Sequence, residues 1–306
     1  MSTLIKQAVS EFSGFTPNLL TPLNSGNASR YLAELAVSAK ESGLPRLEEL
    51  AGSKSETAAF LGAVMDLSPF MRENAILHPL YLERLRDEPI TDRIETIIGA
   101  IPVLGLVCQS EHDLMSALRL AKSEAHFLIA LGDLGGEFGG VKTTQRVSRL
   151  AIASTQAAIR FLLKDASRTG KLILKDENDP EKGSGWIILG MGKLGAMELN
   201  YSSDIDLIVL FDPWAGALPD VQDGVEIFSR LTRRLVRIMQ DRTPEGYVFR
   251  TDLRLRPDPG STPVAIPFEA ALQYYEGRGQ NWERAALIKA LPIAGDIAAG
   301  HEFLLE

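Results

Sequence analysis

One stretch, Trp186 to Asp212 (WIILGMGKLGAMELNYSSDIDLIVLFD), limits what this chain can fold into more than any other. Trp186 to Leu189 is a short continuous apolar run and predicts a buried strand. A glycine turn follows, then the polar break Asn200-Tyr201-Ser202-Ser203, then a second predicted strand from Asp204 to Phe211. Residues two apart on a strand share a face, so Asp204 and Asp206 project together. Two bare carboxylates that close repel, and one would keep its proton. A divalent cation removes that penalty, and carboxylate oxygens are what Mg²⁺ prefers. Glycines let backbone N–H groups approach an anion closely. Gly190, Gly192, Lys193 and Gly195, with Ser202 and Ser203, therefore form a candidate phosphate cradle beside candidate metal ligands. That is equipment for handling a nucleoside phosphate.

A dinucleotide-binding unit is the rival. Gly190-Met191-Gly192-Lys193-Leu194-Gly195 fits G-x-G-x-x-G after a strand, and Asp212 lies about 20 residues on. Against it, a parallel crossover needs a helix of several turns, and only Ala196 to Asn200 is available. A second strand sandwiched on both faces would not open on two carboxylates. A P-loop does not fit, because Lys193 is followed by Leu194.

Tyr247 to Arg256 is predicted as a further strand. One face carries Tyr247, Phe249, Thr251, Leu253 and Leu255, and the other Arg250, Asp252, Arg254 and Arg256. Placed beside Asp204 and Asp206, the charged face supplies Asp252 as a third carboxylate, and three acidic residues on two strands suit a two-metal site. An arginine there is positioned for phosphate oxygens, and Arg254, nearest Asp252, is the candidate. Lys289, at helical spacing from Glu283, is a further candidate phosphate contact. An exposed edge face is the alternative account of the same charges.

GMGKLGAMELNYSSDIDLIVLFD resembles the signature of the glutamine synthetase adenylyltransferase/adenylyl-removing enzyme family, within the DNA polymerase β-like nucleotidyltransferases. The resemblance continues in Tyr247–Pro257 (YVFRTDLRLRP) and Asn281–Ala290 (NWERAALIKA), and covers about Leu118 to Asp296. Leu291 departs from it, standing where the family more often has arginine. The resemblance matches Asp204 and Asp206 to the family's Asp-x-Asp and Asp252 to its third metal-binding aspartate. It implies two opposed reactions in a longer protein with two catalytic copies: transfer of AMP from ATP to a tyrosine of glutamine synthetase, and removal of that AMP by phosphorolysis, giving ADP. A start at Met1, a helical leader and Asn200-Tyr-Ser-Ser-Asp204 resemble the N-terminal, adenylyl-removing copy. Glutamine synthetase as protein substrate, ATP or ADP and phosphate as small-molecule partners, and a PII signalling protein as regulator are implied in the same way. A nucleotide-sensing regulatory module that lacks turnover is the alternative from another class.

The remainder reads as helices. Ala28–Ser42, a helix capped by Ser55 through Leu67, Phe70–Leu77 and Leu80–Arg86 come first. Longer amphipathic patterns at Glu111–Leu131, Lys142–Lys164 and Val221–Met239 follow, and Phe268–Tyr275 and Gln280–Ala290 close the series. Arg119, Lys122, Arg146 and Arg149, and likewise Arg230, Arg233, Arg234 and Arg237, are predicted as solvated faces. The fold class expected is α+β: a small mixed sheet of nucleotidyltransferase type with flanking helices. The domains expected are a helical region 1–115, a catalytic domain 116–265, and 266–306 as the start of a truncated helical domain.

Composition bounds the partners. A net charge of −8 argues against non-specific nucleic-acid or membrane binding. Met1 to Phe15 lacks a secretory leader, and Ile97 to Cys108, the longest apolar run, is too short to span a bilayer. The single Cys108 cannot form an internal disulfide and suits the cytoplasm. Four histidines and that cysteine leave no zinc-ligand spacing.

Overall fold

A computed structural model describes residues 11–306. Most of Met1–Phe15, the segment read for a leader, lies outside the described residues. The fold is α+β, mostly helical with one small mixed sheet.

The helices preceding the sheet are α1 (Ser25–Glu41), α2 (Pro45–Gly52), α3 (Glu56–Leu67), α4 (Pro69–Leu77), α5 (Leu80–Arg84), α6 (Ile90–Val107), α7 (Glu111–Leu134) and α8 (Gly140–Arg168). The sheet-bearing region then runs β1 (Trp186–Gly190), α9 (Gly192–Gly195), β2 (Ile205–Phe211), α10 (Gly224–Gln240), β3 (Thr251–Asp252), β4 (Ile266–Pro267), α11 (Phe268–Gly277), α12 (Asn281–Leu287), β5 (Leu291–Gly295) and α13 (Ile297–Leu305).

The chain divides into two compact units: residues up to Ile97 with Ser123–Thr143, and Ile98–Lys122 with Thr144–Glu306. The first is helical. Its helix starts follow capping chemistry, with Ser55 Oγ accepting from Ala58 N at 3.1 Å and Ser68 Oγ from Met71 N at 3.3 Å. Leu35, Leu47, Phe60 and Leu82 are fully buried in it. Its buried carboxylates are paired, Glu124 with Arg93 at 2.7 Å and Glu83 with Arg46 at 2.7 Å.

The second unit holds the sheet, in order β3-β2-β1-β5, with β4 also pairing β2. β1 pairs antiparallel with both β2 and β5, whereas β3 and β4 run parallel to β2. β1 is buried throughout because both of its faces are covered. Ile187 and Leu189, with Ile208 and Leu210 of β2, pack on Ala271 and Tyr275 of α11 and Phe303 of α13. On the opposite face, Phe228 of α10 lies 4.9 Å from the Phe211 ring and 6.0 Å from that of Trp186. The α8 side is tied on by polar contacts, Gln156 Nε2 to Ile293 O at 3.0 Å and Leu199 N to Ser148 Oγ at 3.0 Å.

Several expectations are corrected here. The strand predicted over Tyr247–Arg256 is only Thr251–Asp252, because the following arginines fold onto local backbone. Arg256 donates to Leu253 O at 2.9 Å and to Pro259 O at 2.8 Å, which closes turns in place of a ladder. Arg119 is not solvated: it is fully buried and donates to the carbonyls of Met115, Asp241 and Gly246. Lys122 is half-buried, 5.4 Å from the Tyr247 ring, and burial lowers its pKa. Arg234 and Arg237 pair with Glu111, and Arg234 also with Asp165 at 2.8 Å, whereas Arg230 and Arg233 are exposed as expected. No helix among the described residues is long and apolar enough to cross a membrane.

Candidate active site

The antiparallel pairing of β1 and β2 removes the dinucleotide reading, which needs those two strands parallel around a crossover helix. The chain instead reverses within a few residues. Met191 N donates to Asp206 O at 2.9 Å, so the glycine turn is fastened to the start of β2. Gly192 adopts φ +53°, and a Cβ built on it would lie 3.3 Å from Asp206 Oδ2. The bare glycine thus keeps open the space in front of that carboxylate. A Cβ on Gly195 would fall 1.9 Å from Lys289 O, so only glycine permits this close backbone approach. In the loop beyond, Met197 takes the left-handed conformation at φ 59°, unusual for a non-glycine residue and adjacent to the site.

On the other side of β2, the parallel register sets Asp206 opposite Asp252 and Ile205 opposite Thr251. Asp204 precedes β2, and Ile205 N donates to Arg250 O at 2.9 Å. The structure therefore brings Asp204, Asp206 and Asp252 together from two neighbouring segments. Asp206 registers the crowding. Its carboxyl is held above the usual range first by burial, then by the charges of Asp252 and Asp204, with Arg254 and Lys193 acting in opposition.

The other two carboxylates are matched to arginines. Arg250 pairs with Asp204 and also donates to Ser202 O at 2.8 Å. Arg254 forks onto Asp252, with Nε 2.8 Å from Oδ2, and its backbone N–H reaches Oδ1 at 2.8 Å. Those bonds hold Asp252 below the usual carboxylate range. With the carboxylates so engaged, no group of three or more His, Cys, Asp or Glu among the described residues is arranged to hold a metal ion. The donor set nevertheless fits a hard cation. It supplies oxygen ligands only, Asp206 is left crowded by like charge, and the covering side chains of Arg250 and Arg254 are 57% and 83% exposed.

The remaining candidates divide. Lys193, in α9, adds positive potential at Asp206. Ser202 and Ser203 lie on the loop into β2, where the Ser203 hydroxyl is bonded to Asn200 Oδ1. Lys289 sends its ammonium to Glu198 Oε2 at 3.2 Å, whereas its carbonyl crowds Gly195. The sequence reading did not find Gln240, at the end of α10, whose Oε1 accepts from Thr251 N at 3.3 Å. Nor did it find Arg119, which fixes the turn leading into β3. No local pattern signals either one, since each partner lies on a distant or irregular segment.

Residues 58–306 match the family described as Glutamate-ammonia ligase adenylyltransferase. Over its whole length the chain is 57% identical to a bifunctional glutamine synthetase adenylyltransferase/adenylyl-removing enzyme of Mesorhizobium japonicum, covering 31% of that protein. Proteins of the same description from Brucella suis and Rhizobium meliloti are 55% and 49% identical over 94% of the chain, which covers 29% of each. The chain thus spans less than a third of the length of these curated relatives.

Proposed function

This chain belongs to the glutamate-ammonia ligase adenylyltransferase family, and from that premise we propose that it performs nucleotidyl transfer on glutamine synthetase, in the removing direction. In this reading inorganic phosphate displaces the tyrosine oxygen from an adenylylated tyrosine and gives ADP. The observation that carries it is the register of Asp206 against Asp252 beside the open Gly192 turn. Three carboxylates facing a backbone cradle suit a phosphodiester and a divalent cation.

Asp204, Asp206 and Asp252 would hold Mg²⁺, which would supply charge neutralisation for the attacking and leaving oxygens. The chain's own groups do the rest. Gly192, Lys193 and Gly195, with Ser202 and Ser203, receive phosphoryl oxygens. Arg254 and Lys193, the two cations acting on Asp206, hold the incoming phosphate in line. Phosphate already carries one to two negative charges at neutral pH and needs no base, whereas a tyrosine hydroxyl with a pKa near ~10 needs help to attack ATP. The site offers arginines beside its carboxylates, which favours phosphate as the nucleophile. Lys289, engaged by Glu198, contributes to the cradle only when that pair opens. Residues 116–265 would form the catalytic domain together with β4 and β5, which complete its sheet, and a PII-type regulator would act on the whole protein.

A nucleotide sensor without turnover is the second reading, favoured by the two Asp–Arg pairs that cover the carboxylates. One assay separates them. Glutamine synthetase carrying labelled AMP is incubated with the chain, Mg²⁺ and phosphate. Label leaving as ADP, only when phosphate is present, is the expected result. No metal-dependent release supports the sensor. Addition of AMP from ATP to unmodified protein at a comparable rate reverses the direction.

A further inference from the structure

Beyond the carboxylates, at the free edge of β3, lies a polar pocket of about 500 Å³ lined by Asp204, Gln240, Asp241, Arg242, Tyr247, Arg250 and Thr251. We propose that this pocket seats the tyrosine end of the scissile phosphodiester and that Arg250 faces the departing phenolate oxygen, an inference that rests on the removal reading above.

Position argues first. The glycine turn is attached at the β1 side of β2, through Met191 N to Asp206 O. The pocket opens at the β3 side, and β2 with its Asp206 lies between them. In-line displacement places attacking and leaving oxygens on opposite sides of the phosphorus. With phosphate over the glycine turn, the leaving oxygen points toward β3.

The lining argues second. Thr251 Oγ1 is buried without a partner, an atom that asks for a hydrogen bond from whatever enters. Gln240 accepts from Thr251 N through its oxygen, which leaves its amide nitrogen to donate. The Tyr247 ring, with Lys122 at 5.4 Å and Arg242 at 5.6 Å, offers an aromatic surface under positive potential. Such a surface suits a second phenol ring whose oxygen becomes anionic.

The step balances as follows. A phosphate oxygen forms a bond to the α-phosphorus while the phosphorus–phenolic oxygen bond breaks, and the electron pair departs on the tyrosine oxygen. Arg250 donates a hydrogen bond to that phenolate. The proton brought by the phosphate ends on the tyrosine through solvent, and ADP leaves.

Two measurements test this. Calorimetric titration compares AMP with a short peptide bearing adenylyl-tyrosine. The peptide should bind at least tenfold more tightly than AMP. Tyr247→Ala, and independently the exposed Arg242→Ala, should erase most of that difference while leaving AMP affinity in place. Equal affinity of the unaltered chain for the two ligands overturns the pocket assignment. In turnover, Arg250→Ala should slow phosphorolysis of the tyrosyl ester about a hundredfold. The p-nitrophenyl ester of AMP, whose phenol leaves without help, should be nearly spared. Equal slowing of both esters overturns the role of Arg250. Absence of ADP from the unaltered chain, with tight peptide binding intact, removes the phosphorolytic reading and supports the pocket through its binding arm.

Discussion

On one side of β2 runs β1, five residues long, buried throughout and paired residue for residue from Trp186–Phe211 to Gly190–Leu207. On the other side the ladder is two separate two-residue strands, β3 and β4. The first flank is held by apolar packing on both faces, and it carries the glycine turn. The second is held by side chains reaching over backbone, and it carries Asp252 and three exposed or half-exposed arginines. The rigid flank fixes where a phosphate can sit. The looser flank supplies charges that can change partners, because Arg250 and Arg254 are exposed and paired with aspartates, whereas Arg256 is fixed on backbone carbonyls.

Substitutions can break this contrast. The largest effect should come from the carboxylate between the flanks. Asp206→Asn should lower turnover by roughly a thousandfold, about 4 kcal/mol of transition-state stabilisation. Its melting temperature at neutral pH should match or exceed that of the unaltered protein. The raised pKa of Asp206 means the fold loses stability as pH rises from the unfolded value through the folded one, and the advantage of the amide should close below about pH 4. A drop in melting temperature would show that the carboxylate is structural. On the rigid flank, Gly195→Ala must displace a carbonyl now 1.9 Å from the added carbon, and urea unfolding should register a loss of about 3 kcal/mol. On the looser flank, Arg119→Met strands the carbonyls of Asp241 and Gly246 and should cost about 2 kcal/mol in the same measurement. Smallest, Arg254→Ala should raise the KM for phosphate about tenfold, and that for the adenylylated protein much less. If both constants rise together, Arg254 does not discriminate between the two substrates.

The same contrast explains what the sequence made legible. β1, β2 and α10 were readable because burial imposes continuous or periodic apolar runs, and Phe228, Leu231, Leu235 and Ile238 are buried as the pattern requires. Val225, on the same apolar stripe near the start of the helix, is 41% exposed. The carboxylates were readable as a set because their chemistry is unusual at a strand entry. β3 was overread. Alternation of Arg250, Asp252, Arg254 and Arg256 mimics a strand, but Arg254 and Arg256 find partners within a few residues, and Arg250 bonds back to Ser202 and Asp204 at the entry of β2. Arg119 was misread for the converse reason. A charge on a helix looks solvated until the fold brings distant carbonyls to it. β5, a short run containing Pro292, becomes a strand only through its pairing with β1, which no local signal encodes.

That last pairing governs when the domain can be finished. β1 and β2 are near neighbours in the chain, but the opposite edge of β1 is covered by a strand made only after α12. Until Leu291–Gly295 is available, a fully apolar strand shows one unpaired row of backbone N–H and C=O groups, the state that recruits other chains. Closure of that edge requires a long loop to be brought together, so it should be the slow event of assembly. Any shortened version ending ahead of Leu291 should therefore precipitate or lean on chaperones, even with every residue of the candidate site present.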